Sequence, residues 1–194
     1  MEETVSENFI NAIKAFISIS EVDLKEIVSY CSLSKCNKSE FLVKTGQVCQ
    51  YIYFLKAGIV RHYYFTDQSE VTRWISMSND FTSSLQSFIS RIPSRENLQS
   101  VTDCEFVILN RIAFEHLISY NEGFRDLWIK ILEYNYLTVE ERVFSLIEKS
   151  AEERFEWMIK NHPRFIHQIP VMFSASMLGI TPRHLSRLRK KYHI

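Results

Sequence analysis

Residues 171–190, VMFSASMLGITPRHLSRLRK, constrain this chain more than any other stretch. Gly179 divides it. Before Gly179 lies a short apolar helix pattern with Met172, Ala175 and Leu178. After it come Ile180, the pair Thr181-Pro182, and a second helix pattern carrying Leu185 and Leu188. Glycine ends a helix readily because it adopts the left-handed conformation without a Cβ penalty. Thr181 is suited to cap the second helix, and Pro182 to occupy its first position. Ala175 is small where two helices would cross closely. The pattern predicts a helix-turn-helix. The second helix would be apolar on its inner side and basic on its outer side, as a helix entering a DNA major groove must be. Thr181, Arg183, His184, Ser186, Arg187, Lys190 and Lys191 are therefore the candidate DNA-binding residues.

The charge distribution points the same way. The net charge is zero, yet all 23 Asp and Glu lie at or before Glu156. Seven of the 23 Lys and Arg lie beyond it, so the body carries 16 cations against 23 anions. A basic end on an acidic body predicts a polyanionic partner, double-stranded DNA, for that end alone. Hydrophobic residues make up 46%, enough for packed cores. No apolar run reaches bilayer-spanning length, and the acidic start MEETVSENF does not read as a signal peptide. A cytoplasmic protein with no membrane partner is expected. Cys31, Cys36, Cys49 and Cys104 form no CxxC pair and read as reduced thiols.

Taken in order, residues 2–15 and 20–30 read as helices, with Ser20 as N-cap and Asp23 at the capping-box position. From Leu33 the period changes. Strands are predicted at 33–36, 40–43, 51–55, 59–65, 71–76, 98–101 and 104–109, separated by turns such as Lys44-Thr45-Gly46 and Lys56-Ala57-Gly58. Residues 81–90 read as a short helix. The strand set predicts a small β-roll or jelly roll. A helix at 112–120 follows, and Gly123 opens a longer one. That helix is apolar on more than one face, which predicts a second subunit against it. Phe124, Leu127, Trp128, Ile131 and Tyr134 are the expected homodimer contacts. The capping box Thr138-Val139-Glu140-Glu141 predicts a hinge at Leu137–Thr138, and Ser150-Ala151-Glu152-Glu153 predicts another helix start. Pro163 should end that helix, with an extended segment at 165–169.

A β-roll, a long helix, a hinge and a C-terminal helix-turn-helix together resemble the Crp/Fnr family of bacterial transcription regulators. The carriers are Gly46 and Gly58 flanking YIYFLKAG, Arg61, Asn79-Asp80-Phe81, residues 83–99 and ITPRHLSRLRKK. The resemblance implies an α+β fold. Residues 1–137 would form a cyclic-nucleotide-binding-like sensor domain with a dimer helix at about 123–137. Residues 138–194 would form the DNA-binding domain, and RNA polymerase would be a further partner. The family's β-hairpin wing would follow the recognition helix. Here the sequence ends at Ile194, so the expected domain lacks that wing, and dimerisation should matter more for binding.

The family's cyclic-AMP binders hold the ribose with a Gly-Glu pair and the phosphate with an Arg followed by a small residue. Those places fall on Ser83, Ser84, Ser94 and Arg95 here. The glutamate is absent, and Glu96 beside Arg95 would repel a phosphate. Ser83, Ser84, Ser94, Arg95, Glu96 and Asn97 therefore mark a candidate pocket for an unassigned effector, with cyclic AMP not expected. The cysteine spacing does not suit an iron–sulfur cluster. His62 stands alone on a strand and His116 on a helix, so no cupin-like metal centre is expected. No cofactor and no enzymatic activity are predicted. The alternative is a sensor module that signals through a protein partner, with a vestigial helix-turn-helix.

Overall fold

The sequence period changes at residue 32, and the chain passes from helices into sheet. The computed structural model describes residues 7–67, 69–161 and 163–194. Two helices come first, α1 (Glu7–Phe16) and α2 (Glu21–Ser29). Of the helix expected at 2–15, residues 2–6 lie outside the described ones. Ser20 caps α2 as predicted, its hydroxyl accepting the Asp23 N–H at 3.1 Å.

Eight strands follow: β1 (Ser32–Cys36), β2 (Phe41–Val43), β3 (Tyr51–Ala57), β4 (Ile59–Phe65), β5 (Glu70–Met77), β6 (Phe81–Thr82), β7 (Asn97–Ser100) and β8 (Cys104–Asn110). They form two four-stranded sheets, ordered β1-β8-β3-β6 and β2-β7-β4-β5. The pairs that define the roll are antiparallel: Ser34 opposite Phe106, Tyr53 opposite Ile108, and His62 opposite Leu98. Gly58 joins β3 to β4 at φ +106°, and a Cβ there would lie 2.5 Å from the Cys104 Sγ. Both the backbone conformation and the crowding require glycine.

The helix expected at 81–90 begins later. Phe81 and Thr82 pair with Phe54 and Tyr53, and only residues Leu85–Ser90 form the helix α3. Phe81 is held in the sheet by rings: its centroid lies 5.2 Å from Phe54 and 5.9 Å from Phe16.

Two further helices, α4 (Arg111–Tyr120) and the 27-residue α5 (Glu122–Glu148), join α1 and α2. Alternate residues of β3 and β8, Ile52, Phe54, Val107 and Leu109, share an apolar interior with Phe9, Ile27, Phe114 and Leu127 from those helices. Phe9 meets Phe54 edge-on at 5.3 Å, and Phe114 meets Trp128 at 4.8 Å. Each fully buried aliphatic or aromatic side chain of this kind contributes roughly 1.5–3 kcal/mol.

The expectation for α5 needs two corrections. First, the capping box at Thr138 does not start a helix, because α5 runs unbroken through it. No Gly or Pro interrupts the chain there, and extending a helix is cheaper than nucleating a new one. Second, Phe124, Leu127 and Ile131 are buried in the chain's own core, at 5%, 3% and 6% exposure. Trp128 packs against that core too, and Tyr134 stacks on Phe16 at 5.7 Å. The outward face carries a different set: Ile129, Leu132, Tyr136, Val139 and Val143. All but the half-buried Leu132 are exposed.

The chain divides into two compact units. One comprises Met1–Tyr64 and Ile75–Tyr134, the other Phe65–Trp74 and Asn135–Ile194. The second contains α6 (Ala151–Asn161), α7 (Pro163–Gln168), α8 (Val171–Leu178) and α9 (Pro182–Lys191). The Ser150 capping box is formed in both directions. Ser150 N–H donates to the Glu153 carboxylate at 2.7 Å, and Glu153 N–H to the Ser150 hydroxyl at 3.3 Å. The extended segment expected at 165–169 is instead α7. Pro163 suits a first helical turn, and Phe165 and Ile169, four apart, both turn inward.

Candidate nucleic-acid interface

The turn between α8 and α9 is built by local chemistry. Gly179 takes φ +69° and ψ 32°. The Ile180 N–H reaches back to the Ala175 carbonyl at 3.0 Å, the long closing bond of a Schellman turn. A Cβ on Gly179 would meet nothing closer than 3.6 Å, so the backbone conformation alone demands glycine. Thr181 then caps α9, its hydroxyl accepting the His184 N–H at 3.2 Å. Pro182 stands in the first turn.

On α9 the inner and outer faces separate cleanly. Leu185 and Leu188 are buried, at 1% and 5% exposure. Arg183, Arg187 and Lys190, spaced four and three apart, are exposed on one side. None of the three has a carboxylate partner among the described residues. Thr181 and Ser186 are exposed beside them, and His184 is half-buried. The Ser186 hydroxyl donates to the Pro182 carbonyl at 2.9 Å, which leaves it as an acceptor outward.

Lys191 departs from the expectation. It is exposed like the other cations, but its ammonium is paired with Glu152 of α6 and ties α9 to that helix. Tyr192 joins the same anchor through hydrogen bonds to Glu152 and Glu156. Those carboxylates hold its phenol protonated, well above the ordinary value. Lys191 in turn holds the Glu152 carboxyl below the usual glutamate range.

Sequence reasoning missed what fixes α8. Two arginines cover its last carbonyls: Arg142 donates to Met177 O at 2.8 Å, and Arg154 to Leu178 O at 2.9 Å. Arg154 also holds Lys149 O at 2.6 Å. Helix C-termini leave four carbonyls unpaired, and guanidinium groups satisfy them well. No local sequence signal marks these two arginines, because their partners lie 35 and 24 residues away. The β4–β5 hairpin adds a further contact, Thr72 N–H donating to the Ser176 hydroxyl at 2.8 Å.

Of the candidate effector residues of the roll, Ser84 and Ser94 satisfy each other, and the rest are engaged elsewhere or exposed. Ser84 and Ser94 hydroxyls lie 2.8 Å apart. Ser94 donates to Glu96 O at 2.7 Å, so Ser84 is the donor within the pair. The Ser83 hydroxyl is spent on Tyr51 O at 2.9 Å. Arg95 is exposed. Asn97 accepts from Thr45 N–H at 2.9 Å, while its buried amide nitrogen has no partner. Glu96 turns inward, 3.8 Å from His62 Nδ1. His62, at 3% exposure, belongs to a buried network the sequence did not show. Its Nε2 lies 2.8 Å from Thr82 Oγ1 and 3.2 Å from Ser76 Oγ, and Ser76 donates to Thr82 at 3.0 Å. The remaining nearby cations are engaged. Arg61 stacks on the Tyr63 ring at 4.2 Å, and Arg91 holds Cys49 O at 2.7 Å. Among the described residues, no group of three or more His, Cys, Asp or Glu could hold a metal, and no helix is long and apolar enough to cross a membrane.

Comparison with known proteins decides the fold. The sequence profile of the cyclic nucleotide-binding domain matches residues 33–121, the span from β1 through α4. FixK2 from Bradyrhizobium japonicum superposes with a TM-score of 0.74 at 17% identity, covering 84% of this chain and 84% of its own. Residues 33–121 thus resemble a cyclic nucleotide-binding domain, and the chain has the fold of the solved Crp/Fnr-type regulators. A CooA mutant from Carboxydothermus hydrogenoformans matches at TM-score 0.67 and 17% identity, over 98% of this chain and 86% of that one. A transcriptional regulator of the Crp/Fnr family from Eubacterium rectale matches at TM-score 0.68 and 12% identity, over 92% and 88%. Among curated proteins, none matches at the level of sequence.

Proposed function

We propose that this Crp/Fnr-type chain is a sequence-specific, DNA-binding transcriptional regulator that acts as a homodimer in the cytoplasm. The observation that carries the reading is the divided surface of α9. Its aliphatic residues are buried, while Arg183, Arg187 and Lys190 project together without a carboxylate partner. Cations held this way, on a helix braced by α6 and by two arginine caps on α8, suit a phosphate backbone and guanine edges. Arg183, His184 and Arg187 would read bases, and Lys190 would contact phosphate. RNA polymerase would be the further partner of such a regulator.

Dimerisation rests on the outward face of α5. Ile129, Leu132, Tyr136, Val139 and Val143 alternate at spacings of three and four, the spacing of a coiled-coil seam. Exposed in a single chain, that stripe is an apolar surface in want of a symmetric partner. The roll reads as a sensor that does not take cyclic AMP. Its hydroxyls at Ser84 and Ser94 pair with each other, Arg91 is bonded to Cys49 O, and Arg95 is exposed.

A gel shift with random-sequence duplexes tests the reading. The wild type should retard DNA at low salt, and the double variant Arg183→Ala/Arg187→Ala should lose that retardation while keeping its fold. A wild type that leaves DNA unshifted would favour signalling through a protein partner instead.

A further inference from the structure

The edges of the two sheets leave an opening beside β1 and β2. Strands β1 and β2 are each the last strand of their sheet, joined by a turn at Asn37–Glu40. Between them lies a cleft of about 640 Å³. That volume falls within the range of small-molecule sites. Its lining includes none of Ser83, Ser84, Ser94 or His62, so it is separate from the serine cluster.

The lining has an aromatic floor. Tyr53 and Phe106 meet edge-on at 5.5 Å, and Tyr51 continues the row 5.9 Å from Tyr53. Tyr51 and Phe41 leave 37% and 38% of their surface open to the cleft and solvent, so flat apolar area is available. Tyr53 is a neutral phenol, its burial pushing the group well above the ordinary tyrosine value. Its hydroxyl spans a long 3.4 Å to Leu42 O, a bond weak enough to exchange.

The charges at the rim are unequal. Lys35 is paired with Glu105 at 3.1 Å. Glu40 is occupied by its own turn, accepting from Asn37 N–H at 2.7 Å and from the Asn37 side-chain amide at 3.2 Å. Lys44 has no carboxylate partner among the described residues. Its ammonium sits 4.9 Å above the Phe41 ring. One free ammonium beside a row of rings suits a monoanion attached to a flat apolar body. A phosphate would want several convergent donors or a guanidinium fork, and neither is present.

We propose that the cleft between β1 and β2 binds a small planar aromatic carboxylate. Its ring lies against the open faces of Tyr51 and Phe41, backed by the buried Tyr53 and Phe106, and its carboxylate meets Lys44. This goes beyond the DNA-binding reading and is tested without DNA, so either can fail alone.

The test is titration of the full chain with 1-naphthoate, followed through its backbone amide NMR signals. Signals of Phe41, Lys44 and Tyr51 should move saturably with a Kd below about 1 mM, and those of Ser84 and Ser94 should stay in place. Neutral 1-naphthamide should bind the wild type about tenfold more weakly. Lys44→Gln, a change at an exposed position, should weaken naphthoate by the same factor and leave naphthamide unchanged. The proposal is overturned by no saturation below about 1 mM, by shifts centred on Ser84 and Ser94, or by equal affinity for the acid and the amide in the wild type.

Discussion

The interior of the roll and the outer face of α9 treat polar groups in opposite ways. In the roll, Ser83, Ser84, Ser94, Thr82, Ser76 and His62 are buried and bonded to other protein groups. On α9, three cations are exposed with no carboxylate of the described chain to meet them. A buried hydroxyl network that satisfies itself contributes stability and specifies one packing. An exposed, unpaired set of cations contributes little to stability and leaves its charge open to an anion. The difference is the reason α9, not the serine cluster, is proposed as the surface for a charged partner.

Within α5 the same contrast separates two faces, and substitution there should give the largest effects. Ile131→Glu places a charge in the roll's own core and should unfold that unit, at a cost of several kcal/mol. Val139→Glu with Val143→Glu should keep the fold and split the dimer, lowering DNA affinity by about a hundredfold. Sedimentation equilibrium and thermal melts distinguish the two results. A Val139/Val143 variant that stays dimeric would remove the seam from the account.

Smaller effects should separate the roll from α9. Thr82→Val takes the central partner from His62 and Ser76 and should lower stability by about 1–3 kcal/mol, leaving the preferred DNA sequence unchanged. Arg187→Ala should leave melting unchanged and cost about 1–3 kcal/mol of specific binding. Lys190→Ala should weaken all sequences alike and reduce the salt slope by about one. A Thr82→Val protein with altered base preference would show that the two regions are not separate in function. Calorimetry with cyclic AMP should give no saturable binding tighter than about 100 μM. Tighter binding abolished by Arg95→Ala would mean that the exposed arginine turns inward to meet phosphate.

The smallest expected effect is acid sensitivity of the α6–α9 anchor. Lys191 and Tyr192 lower the folded-state value of Glu152 below its ordinary 4.5. The native state therefore favours the ionised carboxylate. Its contribution is fully present above pH 4.5 and is lost as pH falls through the lowered folded value. Glu152→Gln should remove that part of the acid-limb slope in a pH series of melts. An unchanged slope would show that the anchor carries no linkage.

How much of this was legible in the sequence depended on how local the cause was. The α8–α9 turn was read almost residue by residue, because Gly179, Thr181 and Pro182 each act on their own backbone or within four residues of it. The strands were legible from β-branched and aromatic runs between turns. The face of α5 was not. Two apolar stripes run along it, and periodicity does not say which one meets the roll; Phe124, Leu127 and Ile131 do. Residues 165–169 were misread as extended, since the helical pair Phe165 and Ile169 is one turn only. The hydroxyl pair Ser84–Ser94 and the caps from Arg142 and Arg154 join positions far apart in sequence, which no local pattern announces.

The central claim is that α9 reads DNA in a symmetric pair. Selection of bound duplexes from a random pool by the full-length chain tests it most directly. The expected result is enrichment of an inverted repeat whose half-sites are centred about 34 Å apart, roughly one helical turn. Enrichment of a single unrepeated half-site, or no enrichment over the starting pool, would contradict it.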